Sequence, residues 1–189
     1  MEQQMQVRGS VLRARKLFTE EHFGSGAWDK VLESLPESDR TVLRGILLPA
    51  GWFPYAVSER LDQAIVNVLG KGDSKVFEDI GRKSAAENLS GIHKSFLRPG
   101  DPQAFLAQTK TIYKFYYNTG FREYVPKGPN SGLLTTIEAE TFSVADCLTV
   151  IGWHKEALEM CGAKNVSIAE TKCRARGDAV CEYSLSWDL

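Results

Sequence analysis

Residues 143–187 read SVADCLTVIGWHKEALEMCGAKNVSIAETKCRARGDAVCEYSLSW. Ser143 with Asp146 three residues on is a capping-box pattern, in which side-chain oxygens satisfy the free N–H groups of a helix start. A helix is therefore expected from Val144 to about Cys161. Its apolar residues fall on two adjoining stripes, Cys147/Ile151/Leu158/Cys161 and Val150/Trp153/Ala157/Met160. An arc that wide implies burial along much of the helix. The period then drops to two, and Asn165–Cys173 and Ala179–Trp187 read as the strands of a hairpin with Arg176-Gly177-Asp178 at its tip. Glycine there can take the positive φ that a short loop wants. Centred on Gly177, the hairpin sets Cys173 opposite Cys181, with Cβ atoms roughly 4.5–5.5 Å apart.

Working outward, Phe121–Lys127 and Ser131–Glu138 read as two more strands around a Gly128-Pro129-Asn130 turn. Upstream the pattern is helical: Ser10–Phe23, Ala27–Leu35, Glu37–Leu47, Tyr55–Leu69, Ser74–Lys94 and Pro102–Tyr117. The clearest stripe is Val57, Leu61, Ala64 with Ile65, and Val68, stopped by Gly70. N-terminal helices followed by an antiparallel sheet with one covering helix define an α+β fold. No repeat or linker divides the chain, so residues 1–189 are expected to form one domain.

The 189 residues are 43% apolar and 10% aromatic, enough for a core and inconsistent with disorder. Lysine and arginine total 23 against 24 acids, a net charge of −1. Nucleic acid or an anionic membrane as main partner would need a basic excess, and neither is expected. No apolar run approaches the roughly 20 residues that span a bilayer. The polar start, Met1-Glu-Gln-Gln-Met-Gln6, is no secretion signal, so a soluble cytoplasmic protein is expected.

All four cysteines, Cys147, Cys161, Cys173 and Cys181, lie in the last quarter of the chain. In a reducing compartment such a cluster points to metal, redox chemistry or plain burial. Cys173 opposite Cys181 suits two thiolates on one metal or, after adjustment, a disulfide. Cys147 falls in the first turn of its helix, where the dipole favours a thiolate. Glu170 is the candidate fourth ligand. Strict alternation places it on the strand face away from Cys173, so it joins the cysteines only across a bulge or an irregular strand end. Spacing alone leaves a zinc site and inert buried cysteines both open. Cys161 reads as a core thiol.

The segment from Glu170 to Tyr183, with Cys147 upstream, resembles the end of the 4-vinyl-reductase domain. That small-molecule-binding module also serves as the sensor region of bacterial activators of aromatic catabolism. The resemblance implies that Cys147, Glu170, Cys173 and Cys181 bind a structural Zn²⁺. Four protein ligands would leave no open position for a water nucleophile. Val11 to Trp28 resembles the opening of haem-NO/oxygen-binding domains, which share a superfamily with ligand-binding subunits of the Golgi tethering complex. Over nearly its full length the chain is similar to an uncharacterised single-domain family known chiefly from myxobacteria.

The haem-binding resemblance implies a proximal histidine and a Tyr-x-Ser-x-Arg trio for the propionates. The candidates are His93 and Tyr117, Thr119 and Arg122. Threonine stands for serine and the arginine comes one residue late, so zinc is the expected cofactor and haem is set aside. Gly70-Lys71-Gly72-Asp73-Ser74 lacks the P-loop spacing and reads as a C-cap plus an N-cap. No Gly-x-Ser-x-Gly or His-Glu-x-x-His occurs. Nothing nominates His22, His93 or His154 as a catalytic base.

Aromatic residues crowd the stretch from Tyr113 to Tyr124. Tyr113 and Tyr117 share a helix face, with Tyr116 adjoining. With Trp153 they are either core or the wall of an apolar pocket between helices and sheet. Tyrosines there would orient a phenol or fatty acid through a hydroxyl. The function expected is a non-enzymatic sensor for a small apolar or aromatic molecule, signalling through a homodimer or a protein partner. An enzyme or accessory subunit of tetrapyrrole metabolism and a lipid-filled scaffold are the alternatives.

Overall fold

The structure is a computed structural model that describes residues 4–91, 93–140 and 143–189. In chain order it runs β1 (Gln6–Arg8), α1 (Gly9–Phe23), α2 (Ala27–Glu33), α3 (Glu37–Arg44), β2 (Trp52–Pro54), α4 (Tyr55–Val68) and α5 (Val76–Ser90). Two short helices follow, α6 (Pro102–Leu106) and α7 (Thr109–Tyr113). The second half is β3 (Phe121–Gly128), β4 (Ser131–Ile137), α8 (Val144–Met160), β5 (Lys164–Lys172) and β6 (Cys181–Asp188). The four long strands form one sheet in the order β3-β4-β6-β5, every neighbour antiparallel. The expected α+β architecture is the one observed.

Helix α8 starts where the capping box places it, the Ser143 hydroxyl accepting from the Asp146 N–H at 3.4 Å. It packs between the sheet and α5. In β6 the alternation is strict: Cys181, Tyr183, Leu185 and Trp187 are buried and face α8, while Ser184, Ser186 and Asp188 are exposed. Against α5 the contact is closer than side chains allow. A Cβ on Gly152 would land on the Glu78 carbonyl oxygen, and one on Gly81 on the Thr149 carbonyl oxygen. Glycine is required at both positions by that approach alone. Apolar packing divides into one cluster among β1, α1 to α4 and the first half of α5, and another among the second half of α5, α8 and the sheet, with Tyr116 and Leu148 touching both.

Three departures from the sequence reading have local causes. The helix expected over Pro102–Tyr117 breaks after Leu106. There the Thr109 hydroxyl donates back to the Leu106 carbonyl at 2.8 Å, and Gln108 Nε2 donates to the carbonyls of Phe96 and Ala104. Such side-chain bonds compete with the helical ladder. The hairpin tip is longer than three residues, because Arg174–Arg176 form a 3₁₀ turn before Gly177, whose φ is 100°. The strands β1 and β2, at three residues each, are too short to show a period.

Replacing Gly152 by alanine should force α5 and α8 apart. A loss of about 3 kcal/mol is expected for overpacking a site that cannot give way. For a chain of this length that is roughly 6–12 °C in Tm. A Gly152→Ala melt coinciding with wild type would refute the contact.

Candidate functional site

The four aromatic side chains expected at a pocket line one cavity of about 50 Å³ between α1, α5, α7, α8 and β3. Tyr113 and Tyr117 stack with ring centroids 4.9 Å apart, and Tyr116 meets Trp153 edge-on at 6.0 Å. The helix breaks after Leu106, yet Tyr117 N–H still bonds to the Tyr113 carbonyl at 3.1 Å, which preserves the shared face. Two hydroxyls are engaged: Tyr113 Oη donates to the Thr119 carbonyl at 3.0 Å, and Tyr117 Oη to Asp146 Oδ1 at 2.7 Å. Burial pushes both phenols above their usual range, and the Asp146 carboxylate pushes Tyr117 further. The buried Tyr116 hydroxyl finds no acceptor among the described residues.

Three basic residues in the same wall were not assigned to a pocket by the sequence reading: Arg15, Arg122 and His154. Arg15 grips Asp62 through both carboxylate oxygens, at 2.9 and 3.1 Å, in full burial. Burial works against its charge, but Asp62 more than offsets this, and the guanidinium is more basic than usual. His154 Nδ1 lies 2.8 Å from the Val150 carbonyl. A carbonyl only accepts, so Nδ1 carries the proton and Nε2 the lone pair. Burial, and then the charge of Arg122, lower this imidazole to about 3, which keeps it neutral. The missed signal for Arg15 is its place on the apolar face of α1, beside Val11, Leu12 and Phe18.

The second expected cluster also assembles. Cys147, Glu170, Cys173 and Cys181 bring one donor atom each to within 4.8 Å of one another. Cys147 Sγ lies 3.6 Å from Cys181 Sγ and 3.8 Å from Cys173 Sγ. The irregularity that Glu170 needs is present, because the β5–β6 register shifts between Glu170 and Lys172. Donation by Cys147 to Cys181 sets the balance of the pair: Cys147 is pushed up and Cys181 is brought down to about 7. The Arg174 N–H adds a bond to Cys181 Sγ at 3.3 Å. Cys161 stands apart as a fully buried core thiol. His93 lies outside the cavity wall, in a cluster with Phe96, Phe115 and Tyr116 at centroid distances of 4.9–5.9 Å.

No protein-family profile and no curated protein matches the chain. Solved structures do. The fold is that of H-NOX proteins. One from S. oneidensis in the Fe(II)NO state aligns over 96% of this chain and 99% of its own, with a TM-score of 0.72 and 14% identity. The unliganded Fe(II) protein from K. algicida aligns over 96% and 97%, with a TM-score of 0.71 and 14% identity. A third, described for porphyrin distortion that modulates haem redox potential, aligns over 96% and 99%, with a TM-score of 0.66 and 12% identity. At such identities the likeness is one of fold.

This corrects the expected cofactor. Structural zinc with haem set aside does not stand, because the chain shares its fold with haem proteins over nearly its whole length. The physical reason is that motif spacing was weighed where packing decides. Tyr117 and Arg122 reach the same cavity wall despite the extra residue between them, and the Thr119 hydroxyl is buried without a partner. The donor chemistry for haem is therefore present: a neutral imidazole with an oriented lone pair, and buried cations. The space as packed is not. About 50 Å³ falls far below the roughly 300 Å³ at which ligand pockets begin.

The folded imidazole of His154 titrates near 3 against about 6.5 when unfolded. Below that unfolded value only the unfolded chain takes up the proton. The contribution of neutral His154 is thus full above about pH 6.5 and is lost as pH falls toward 3, with a slope of up to about 1.4 kcal/mol per pH unit. The gap in stability between wild type and His154→Asn should narrow across that window. Parallel curves from pH 7 to 4 would show that His154 is not buried neutral.

Proposed function

We propose that this chain is a small-molecule-binding sensor domain without catalytic activity of its own. The observation that carries the reading is the interior cavity, with its aromatic wall and buried cations, inside a fold shared with H-NOX proteins. The ligand occupies the space bounded by Tyr113, Tyr116, Tyr117 and Trp153. An apolar or aromatic ligand of ring size enters by parting Tyr116 from Trp153. Its presence is passed on by association with a second copy or another protein. Ile46 and Leu48 in the loop before β2, exposed by 85 and 61%, and Trp52 at the start of β2, exposed by 37%, support such an association. No helix among the described residues is long and apolar enough to cross a membrane. Native mass spectrometry of the purified chain should report a retained small molecule and a dimer or complex. A bare monomer that no apolar or phenolic compound stabilises against heat would remove the reading.

A second reading, favoured by the fold and by the anchored imidazole of His154, is that the chain takes haem. Expression with a haem precursor should then yield a stoichiometric Soret band. Loss of the band on His154→Ala but not on His93→Ala would assign the axial ligand to the cavity. The absence of any band in the wild type would eliminate this reading.

A further inference from the structure

Arg122 is 8% exposed and its guanidinium borders the cavity. Its Nε donates to the Thr136 hydroxyl across the β3–β4 pair at 3.0 Å, and its terminal carbon lies 5.2 Å over the Tyr113 ring. Among the described residues no carboxylate forms an ion pair with it, whereas Arg15, the other cation in the wall, is neutralised by Asp62. An arginine keeps its proton inside a protein, and a buried charge without a partner is costly. The Tyr116 hydroxyl, also in the wall, is a second buried donor without an acceptor. A buried cation with no carboxylate partner and, beside it, a hydroxyl with no acceptor point to an anion.

Size narrows the class. The cavity, about 50 Å³, is much smaller than the roughly 150 Å³ that accommodates benzene. An arginine fork matches the two oxygens of a carboxylate, and Ile112, Val150 and Trp153 offer an apolar surface for the rest of the molecule. We propose that the cavity binds a small carboxylate of about the size of acetate, its oxygens taken by the Arg122 guanidinium and the Tyr116 hydroxyl. This rests on the reading above that the cavity binds a small molecule, and puts in place of a ring-sized apolar ligand a small anion that fits the cavity as packed.

The test uses the whole chain and three probes at equal ionic strength: sodium acetate, sodium chloride and the neutral isostere acetamide. Acetate should raise Tm by several degrees in a saturable way, with chloride and acetamide without effect, and ¹³C-acetate signals should broaden on addition of the protein. Arg122→Gln should weaken acetate binding about tenfold or more, the scale of a charged hydrogen-bond pair. Tyr116→Phe should weaken it a few-fold. If Arg122→Gln fails to fold, Tyr116→Phe and the ¹³C broadening on wild type decide. Acetamide stabilising as well as acetate would overturn the charge assignment and leave the cavity reading standing. An acetate response undiminished in both variants would put the anion elsewhere and overturn the proposal. No response to these probes or to apolar ones would take the cavity reading down with it.

Discussion

Where α5 crosses α8, Gly81 faces the Thr149 carbonyl and Gly152 the Glu78 carbonyl, and the backbones approach to a separation that a Cβ at either position would prevent. Ion pairs line the rim of this contact, Lys155 with Glu78 at 2.6 Å and Arg82 with Glu156 and Glu159 at 3.0 and 2.8 Å. Their side chains are partly exposed, and such pairs contribute at most about 1 kcal/mol each. The apolar burial that the glycines permit is larger: Ala85 and Leu89 on α5 and Ala157 and Leu158 on α8 are fully buried in one cluster, each large side chain worth roughly 1.5–3 kcal/mol. The glycine contact therefore sets where α8 lies, and α8 in turn determines which face of the sheet is buried.

Both candidate sites follow from that placement. Thr149, Val150, Trp153 and His154 of α8 line the cavity with Ser84 of α5, immediately beside the point of closest approach. At its other end α8 begins at Ser143, so Cys147 falls in the first turn, against the β5–β6 hairpin. One residue earlier, Asp146 receives the Tyr117 hydroxyl from the cavity wall at 2.7 Å. A side chain of the cavity is thus bonded to the residue that precedes a member of the cysteine cluster. A ligand that moved Tyr117 would disturb the start of α8, which is a short physical route from an interior event to the C-terminal hairpin.

Much of this was legible in the sequence, for reasons that differ by element. The start of α8 was readable because a capping box is a local device, and β6 because Cys181, Tyr183, Leu185 and Trp187 alternate strictly. The cysteine cluster was readable down to the bulge at Glu170, since a period of two makes any exception conspicuous. The break after Leu106 was not, because Pro102 and the apolar spacing argue for one helix while Gln108 and Thr109 act through bonds that spacing does not reveal. Gly81 and Gly152 carry no local signal, because their role depends on each other across 71 residues. Haem was weighed against a motif in which Arg122 comes one residue late. The side chain nevertheless reaches the cavity, because β3 begins where the chain has already turned.

Buried ionic groups are weak evidence for stability, since well-packed apolar residues of similar volume often do as well or better. The two buried arginines therefore call for separate explanations. Arg15 and Asp62 join α1 to α4 beneath the cavity through two hydrogen bonds. They form a neutral and rigid floor, which a pocket needs if its walls are to stay in place. Arg122 has no such structural return. It is held by one neutral hydroxyl at 3.0 Å and bears on the pocket that His154, uncharged, also lines. A core selected only for packing would have placed an apolar residue opposite Thr136. A cation kept there, with no carboxylate paired to it among the described residues, is the feature of this interior that packing does not account for, and that asymmetry separates the two arginines.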